Sequence, residues 1–306
     1  MLPEIWRQWR KYHIGMTSHM LFNPFTPLLM QRALINSFGH MPWLAADVAE
    51  HNLQLGARPA RRFGSPAADG AAVVFFHGGG FTTGSLTSHR PLCSHLAKVC
   101  GIPVYSIDYR LAPEHPYPAA ADDCEAATLA LLQQPGIAAD KLILAGDSAG
   151  GNLALVTALR LHRHNIRPAA LVLMSPWSDP VDTELPWRFD PILNPYWGMA
   201  SARAYRGDSN GNSSDFAPIN ADLADLACLP PVLLQADDDE ILLPQLERLA
   251  ERLRAAGVNL TYQVYRDLWH AGQIVAAIHP PAAAALAECG RYVQEVLAAS
   301  PLPEAA

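Results

Sequence analysis

The chain has 306 residues, 50% of them hydrophobic and 17% charged, which is ample apolar material for a large core. Its net charge of −7 argues against nucleic acid as a partner, because phosphate recognition needs a basic surface. The short Arg58, Arg61, Arg62 group reads as decoration of a solvated loop.

Residues 1–50 carry large apolar side chains at irregular helical spacing: Trp6, Trp9, Tyr12, Met16, Met20, Phe22, Phe25, Leu28, Leu29 and Met30. They read as two short helices broken near Asn23-Pro24 and Pro27. Methionines and aromatics of this kind suit either ordinary packing or a lid that adapts to an acyl chain.

From residue 70 the pattern becomes an alternation of strands and helices. Strands are expected at 73–76, 103–107, 141–145, 169–174, 231–235 and 260–265, and helices near 88–100, 119–134, 149–164, 243–256 and 281–298. The strand runs are almost uniformly apolar, as in a parallel sheet covered by helices on both faces.

The first of these strands ends in His77-Gly78-Gly79-Gly80. A glycine loop after a strand lets backbone N–H groups approach a developing oxyanion without side chains in the way. No Gly-Lys-Ser/Thr follows, so a Walker-type phosphate loop is unsupported. The strand at 141–145 leads into Gly146-Asp147-Ser148-Ala149-Gly150, and a helical run follows from Asn152. Strand, sharp turn and helix are the context of a nucleophile elbow, with Ser148 at its tip. A second Gly-x-Ser-x-Gly, Gly207 to Gly211, lies in a polar stretch with no strand before it, so Ser209 reads as a surface-loop serine.

Residues 177–218 interrupt the alternation with a long irregular insertion rich in proline and aromatics, among them Trp177, Trp187, Phe189, Tyr196 and Trp197. Such an insertion is functional or disordered, and its aromatics oppose disorder. It is expected to cap the active site together with residues 1–50.

A serine nucleophile needs a base, and the base needs an orienting carboxylate. In this strand-helix order the acid and then the histidine follow the serine. His270 lies just past the 260–265 strand, where sites form in open α/β sheets, whereas His279 precedes Pro280-Pro281 and reads as the start of the last helix. The acid comes from the loop after 231–235, where Asp237, Asp238, Asp239 and Glu240 are equivalent on chemistry alone.

These residues resemble the hormone-sensitive-lipase family of α/β-hydrolases, the bacterial branch of carboxylesterases. The resemblance rests on His77 to Gly80, on Asp108-Tyr109-Arg110-Leu111-Ala112-Pro113-Glu114, on Gly146 to Gly151, on Leu229 to Val232, on Ala256-Gly257 and on His270. It implies an α/β-hydrolase fold, a mostly parallel sheet flanked by helices, in a single domain 1–306 capped by about 1–50 and 177–218. It further implies hydrolysis of short- to medium-chain carboxylic esters, with Ser148 as nucleophile, Glu240 as acid, His270 as base, and an oxyanion hole of Gly78, Gly79 and Ala149. The Arg110 to Glu114 stretch would be structural support. Two departures, Ala271-Gly272 after His270 and the aspartates before Glu240, bear on the substrate rather than the reaction.

No metal and no organic cofactor is expected, because no His-Glu-x-x-His, Cys-x-x-Cys or dinucleotide glycine motif is present. The five cysteines are odd in number and widely spaced, as buried free thiols would be. The start lacks the layout of a signal peptide, and no stretch of about eighteen apolar residues would span a membrane, so a cytoplasmic enzyme is expected. The expected partner is a small-molecule ester; a homo-oligomer is left open. An amidase, N-deacetylase or lactonase could use the same triad. Plant gibberellin receptors share the resemblance but lack the catalytic histidine, so His270 favours catalysis over ligand binding alone.

Overall fold

The computed structural model describes residues 11–16, 18–19, 22–67, 69–181 and 190–299. Its strands are β1 Glu50–Leu55, β2 Arg58–Phe63, β3 Ala72–Phe76, β4 Val104–Ile107, β5 Leu142–Asp147, β6 Ala170–Met174, β7 Val232–Asp237 and β8 Leu260–Tyr265. They form one sheet in the order β1-β2-β4-β3-β5-β6-β7-β8. Strands β3 to β8 pair in parallel, while β1, β2 and β4 pair antiparallel. The helices are α1 Leu28–Phe38, α2 Arg90–Cys100, α3 Ala119–Leu132, α4 Ala149–Arg163, α5 Pro195–Arg206, α6 Leu223–Ala227, α7 Leu243–Ala255 and α8 Pro280–Ala299.

Side chains alternate across each strand, and this sorts the core into two layers. Val74, Phe76, Leu142 and Leu144 face a layer that holds Leu153 and Leu155 of α4, Ala121 and Ala127 of α3, and Leu246 and Leu249 of α7. Val73, Phe75, Ile143 and Ala145 face the other, with Leu92 and Leu96 of α2 and Leu286 and Val293 of α8. The central strands therefore read as continuous apolar runs, since both faces are buried at roughly 1.5–3 kcal/mol per large side chain. Helix α4 is buried on all sides from Ala149 to Leu161. An element enclosed so completely makes a rigid platform for the residue at its N-terminus.

The six expected core strands and five expected helices are present, with ends displaced by a residue or two. Three features differ from expectation. The β1–β2 hairpin, turning at Gly56 with φ 58°, precedes the first expected strand. Arg58, Arg61 and Arg62 lie on β2 rather than in a solvated loop, where Arg58 donates to the Asp108 carbonyl and Arg61 to Asn52 Oδ1. The insertion contains a 12-residue helix, α5, capped by the Asn194 side chain, which accepts from the Tyr196 N–H. In the N-terminal segment residues 11–16 are helical, and α1 starts directly after Pro27, as the expected break requires. Trp6, Trp9, Met20, Trp187 and Phe189 lie outside the described residues.

Candidate active site

The candidate nucleophile turn is built by β5, Ser148 and α4. Ser148 has φ 50° and ψ −120°, a conformation that L-residues rarely hold and that needs an over-determined surround. The surround is here. The Ser148 N–H donates to the Met174 carbonyl at 2.9 Å, and the Trp177 N–H donates to the Ser148 carbonyl at 2.9 Å. A Cβ on Gly146 would lie 2.4 Å from the Gly150 backbone, and one on Gly150 would lie 1.9 Å from the Phe76 carbonyl oxygen. Both glycines are demanded by contact, not by flexibility.

His270 follows β8 and is buried. Its Nδ1 meets Glu240 Oε2 at 2.9 Å. A carboxylate only accepts, so Nδ1 carries the proton and Nε2 is left as the basic nitrogen. Nε2 is buried with no hydrogen-bond partner among the described residues. The next residue, Ala271, donates its N–H to Ser175 Oγ at 3.3 Å, one position beyond Met174, which holds the Ser148 amide. The histidine loop thus sits on the same short segment as the elbow. Burial would push the His270 imidazole down, but Glu240, then Asp190 and Asp147, outweigh it and hold its pKa above the ordinary value.

Glu240 is fully buried, and its Oε1 accepts from the Asp237 N–H at 3.2 Å. The three aspartates upstream have other partners. Asp237 and Asp239 accept from Lys11 Nζ at 2.8 and 2.9 Å, and Asp238 faces Arg266 Nε at 3.7 Å. Their carboxylate oxygens lie within 4.8 Å of one another, a spacing that could hold a cation; Lys11 and Arg266 bring positive charge to that corner.

The glycine loop after β3 lies beside the elbow, but Gly78 departs from expectation. Its N–H donates to Asp147 Oδ1 at 2.9 Å and is therefore engaged inside the protein rather than offered to an oxyanion. A Cβ at Gly78 would fall 2.1 Å from Asp147 Oδ2. The Gly79 and Gly80 amides make no hydrogen bond with the described residues, and the Ala149 N–H opens the first turn of α4, where no helical carbonyl stands behind it. Burial favours the neutral form of Asp147, yet His89 and the Gly78 amide outweigh it, so this carboxyl is held below its usual range. His89 Nε2 lies 3.4 Å from Asp147 Oδ1. His77, fully buried and stacked on Tyr109 at 4.2 Å, is pushed down to about 3 and stays neutral, donating Nδ1–H to the Gly78 carbonyl.

The cleft at Ser148 is lined by Trp177, Leu193, Asn194, Trp197, Gly198 and Leu242, and its free volume is about 10 Å³, room for one water molecule. Trp197 is clamped from three sides. It packs on Phe22 at 4.8 Å, donates Nε1–H to Gln31 Oε1 at 2.8 Å, and leaves no space for a Cβ on Gly80, which would sit 2.7 Å away. A larger polar cavity of about 290 Å³, lined by His40, Glu50, Asn52, Arg61, Thr87 and Arg90, contains none of the candidate catalytic residues. Ser209 sits in the turn after α5 and His279 at the start of α8, where its Nε2 donates to the Asp267 carbonyl.

Asp147, His89, Lys11 and Asp190 were not singled out by the sequence. Only Asp147 carried a local signal, as the residue before the elbow serine; the others act across 40 or more positions.

A family model described as alpha/beta hydrolase fold matches residues 73–274. An esterase of Acinetobacter venetianus is 36% identical over 225 residues, covering 72% of this chain and 73% of its own length. Esterase LipU of Mycobacterium tuberculosis is 33% identical over 254 residues, 78% of this chain and 83% of its own. Among solved structures, a hormone-sensitive lipase from a metagenome library superposes with a TM-score of 0.87 at 31% identity, covering 95% of this chain and 98% of the other.

Proposed function

The chain belongs to the alpha/beta hydrolase family, among hormone-sensitive-lipase-like esterases, and is a carboxylic ester hydrolase; on that premise we propose that it acts through Ser148, His270 and Glu240 on short acyl esters. The observation that carries the triad is the His270 Nδ1 contact to Glu240, which leaves a buried, unpartnered Nε2 on a loop seated beside the elbow.

In this reading His270 Nε2 takes the Ser148 proton as Oγ attacks the ester carbonyl. The tetrahedral oxyanion accepts from the Gly79, Gly80 and Ala149 amides. The imidazolium, stabilised by Glu240, returns the proton to the leaving alkoxide, and an acyl-enzyme remains. Water then repeats the sequence and releases the acid. Gly78 has a different part: it fastens the oxyanion loop to Asp147.

We further read residues 1–50 and 177–218 as the cap of a single domain, which supports a preference for acetyl to about hexanoyl esters, since a longer chain must displace Trp177 and Trp197 from so small a cleft. A cytoplasmic setting fits the five free cysteines, four of them buried.

The test is Ser148→Ala beside Ser209→Ala, assayed on p-nitrophenyl acetate with an amide and a lactone in parallel. Ser148→Ala should lower kcat by about three or more orders of magnitude, with Ser209→Ala silent. The opposite pattern would dismiss the triad, and faster turnover of the amide or lactone would change the substrate class.

A further inference from the structure

The aspartates before Glu240 need a physical reason. Four consecutive carboxylates repel one another and are costly to bury. The reason is carried in from the far end of the chain. Lys11, 2% exposed, places its ammonium against Asp237 Oδ1 and Asp239 Oδ2. Asp237 is a hub. Its Oδ1 also accepts from the Asp239 N–H at 3.2 Å, and its Oδ2 accepts from the Leu268 N–H at 3.0 Å, two residues before His270. Its own N–H reaches Glu240. One buried aspartate therefore joins Lys11, the acid loop and the histidine loop.

The other side of Glu240 is held in the same manner. Asp190, in the insertion, is fully buried. Its Oδ2 accepts from the Ile241 N–H at 2.9 Å, and its Oδ1 accepts from the Ile192 and Leu193 N–H groups at 2.7 and 2.9 Å. Its carbonyl accepts from His19 Nε2 at 2.7 Å, so the N-terminal segment and the insertion meet there. Leu193, held by Asp190, is also a wall of the cleft at Ser148.

We propose that Lys11 and Asp190 are positioning residues that clamp the acid loop on either side of Glu240, so that Glu240 and His270 align only while the N-terminal segment and the insertion are docked. Neither residue touches the reacting atoms. The proposal rests on the triad reading given above. Its physical basis is that a buried charge stripped of its partner cannot stay where it is, so Asp237 must move or take up a proton when Lys11 is gone, and the loops it joins move with it. Through Leu193 the clamp also connects the width of the cleft to the alignment of the acid.

The test compares wild type, Lys11→Met, Lys11→Met/Asp237→Asn, Asp190→Asn and Ser148→Ala for kcat and KM on p-nitrophenyl acetate, the pH profile of kcat/KM and thermal melting. Lys11→Met should lower kcat roughly 10- to 100-fold with KM little changed, as a displaced catalytic group does. Pairing it with Asp237→Asn should restore part of the loss, because both members of the buried pair are then neutral. The rising limb of the pH profile discriminates further. Loss of the Lys11 charge alone would move the limb to higher pH, whereas a Glu240 drawn away from His270 moves it lower. A Lys11→Met enzyme that melts earlier but keeps wild-type kcat and limb would overturn the proposal. If that variant does not fold, Asp190→Asn decides: reduced kcat, whether or not KM also moves through Leu193, supports the clamp, and wild-type kcat refutes it. Activity surviving in Ser148→Ala would instead remove the triad reading itself, whatever the other variants do.

Discussion

At the scale of single residues, the site depends on which hydrogen-bonding groups are already engaged. Glu240 is distinguished from its three neighbours by its partner: it alone faces His270, while Asp237, Asp238 and Asp239 face Lys11 or Arg266. Glu240→Gln should therefore lower kcat by roughly 10³–10⁴ with the fold intact, by analogy with other orienting carboxylates made neutral, while Asp238→Asn stays within severalfold of wild type. Kinetics beside a melting curve check both. His270 sets the pH response. Its pKa is held above the ordinary value of 6.5 by Glu240, Asp190 and Asp147 acting against burial, and the base works only when neutral. The acid limb of kcat/KM should thus have its midpoint above 6.5, and Glu240→Gln should shift the midpoint downward in whatever activity remains. A midpoint below 6.5 in wild type would contradict the pairing. Ser148 and His270 could be put forward from the sequence because strand context and chain order single them out. Glu240 could not be chosen from four adjacent carboxylates by chemistry alone; the choice needed their partners. The role of Gly78 was hidden for a related reason, since its acceptor, Asp147, lies 69 positions away.

Secondary-structure elements tell a similar story. Strands β3 to β7 announce themselves because both faces are covered and the runs are largely apolar, while β8, half-exposed, was recognised from its mixed Leu260 to Tyr265 run. The β1–β2 hairpin does not, because it stands at the sheet edge and its first strand opens with the polar, partly or fully exposed residues Glu50, His51 and Asn52. Its available signal was modest: Leu53 and Leu55 alternating, then Gly56 at the turn. Helix α5 was obscured by the prolines around it, although Pro195 occupies a first-turn position that helices accept. This helix governs the cleft through Trp197. Trp197→Ala should raise the kcat/KM ratio of hexanoyl over acetyl ester by about tenfold or more, since each methylene accommodated in a pocket is worth about 1–3 kcal/mol. It should also cost roughly 3–5 kcal/mol of stability, because a buried tryptophan and its bond to Gln31 are lost. An unchanged chain-length profile would place the acyl group elsewhere.

For the whole molecule, the sheet divides the proposed catalytic groups into two sets. The glycine loop and Ser148, proposed as oxyanion loop and nucleophile, leave β3 and β5, which are hydrogen-bonded neighbours in the middle of the sheet, and α4 is enclosed on every side. The proposed acid and base, Glu240 and His270, leave β7 and β8, and β8 is the last strand, with half-exposed residues along its length. The strand order follows from the strand-helix alternation only as a class; which strand ends up at the edge is decided by pairing between distant segments. The division has a consequence for how the protein loses activity. Free energies of local opening rise from the periphery of a domain to its centre, and contiguous elements open as cooperative units. The β7–β8 side should therefore open first, releasing acid and base while the serine turn keeps its shape. In amide hydrogen exchange, β8 and the 266–272 loop should lose protection at urea concentrations where β3, β5 and α4 remain protected. Ester turnover should fade over that same range, ahead of the circular-dichroism transition. Coincident loss of turnover, β8 protection and β5 protection would mean that the sheet opens as a single unit.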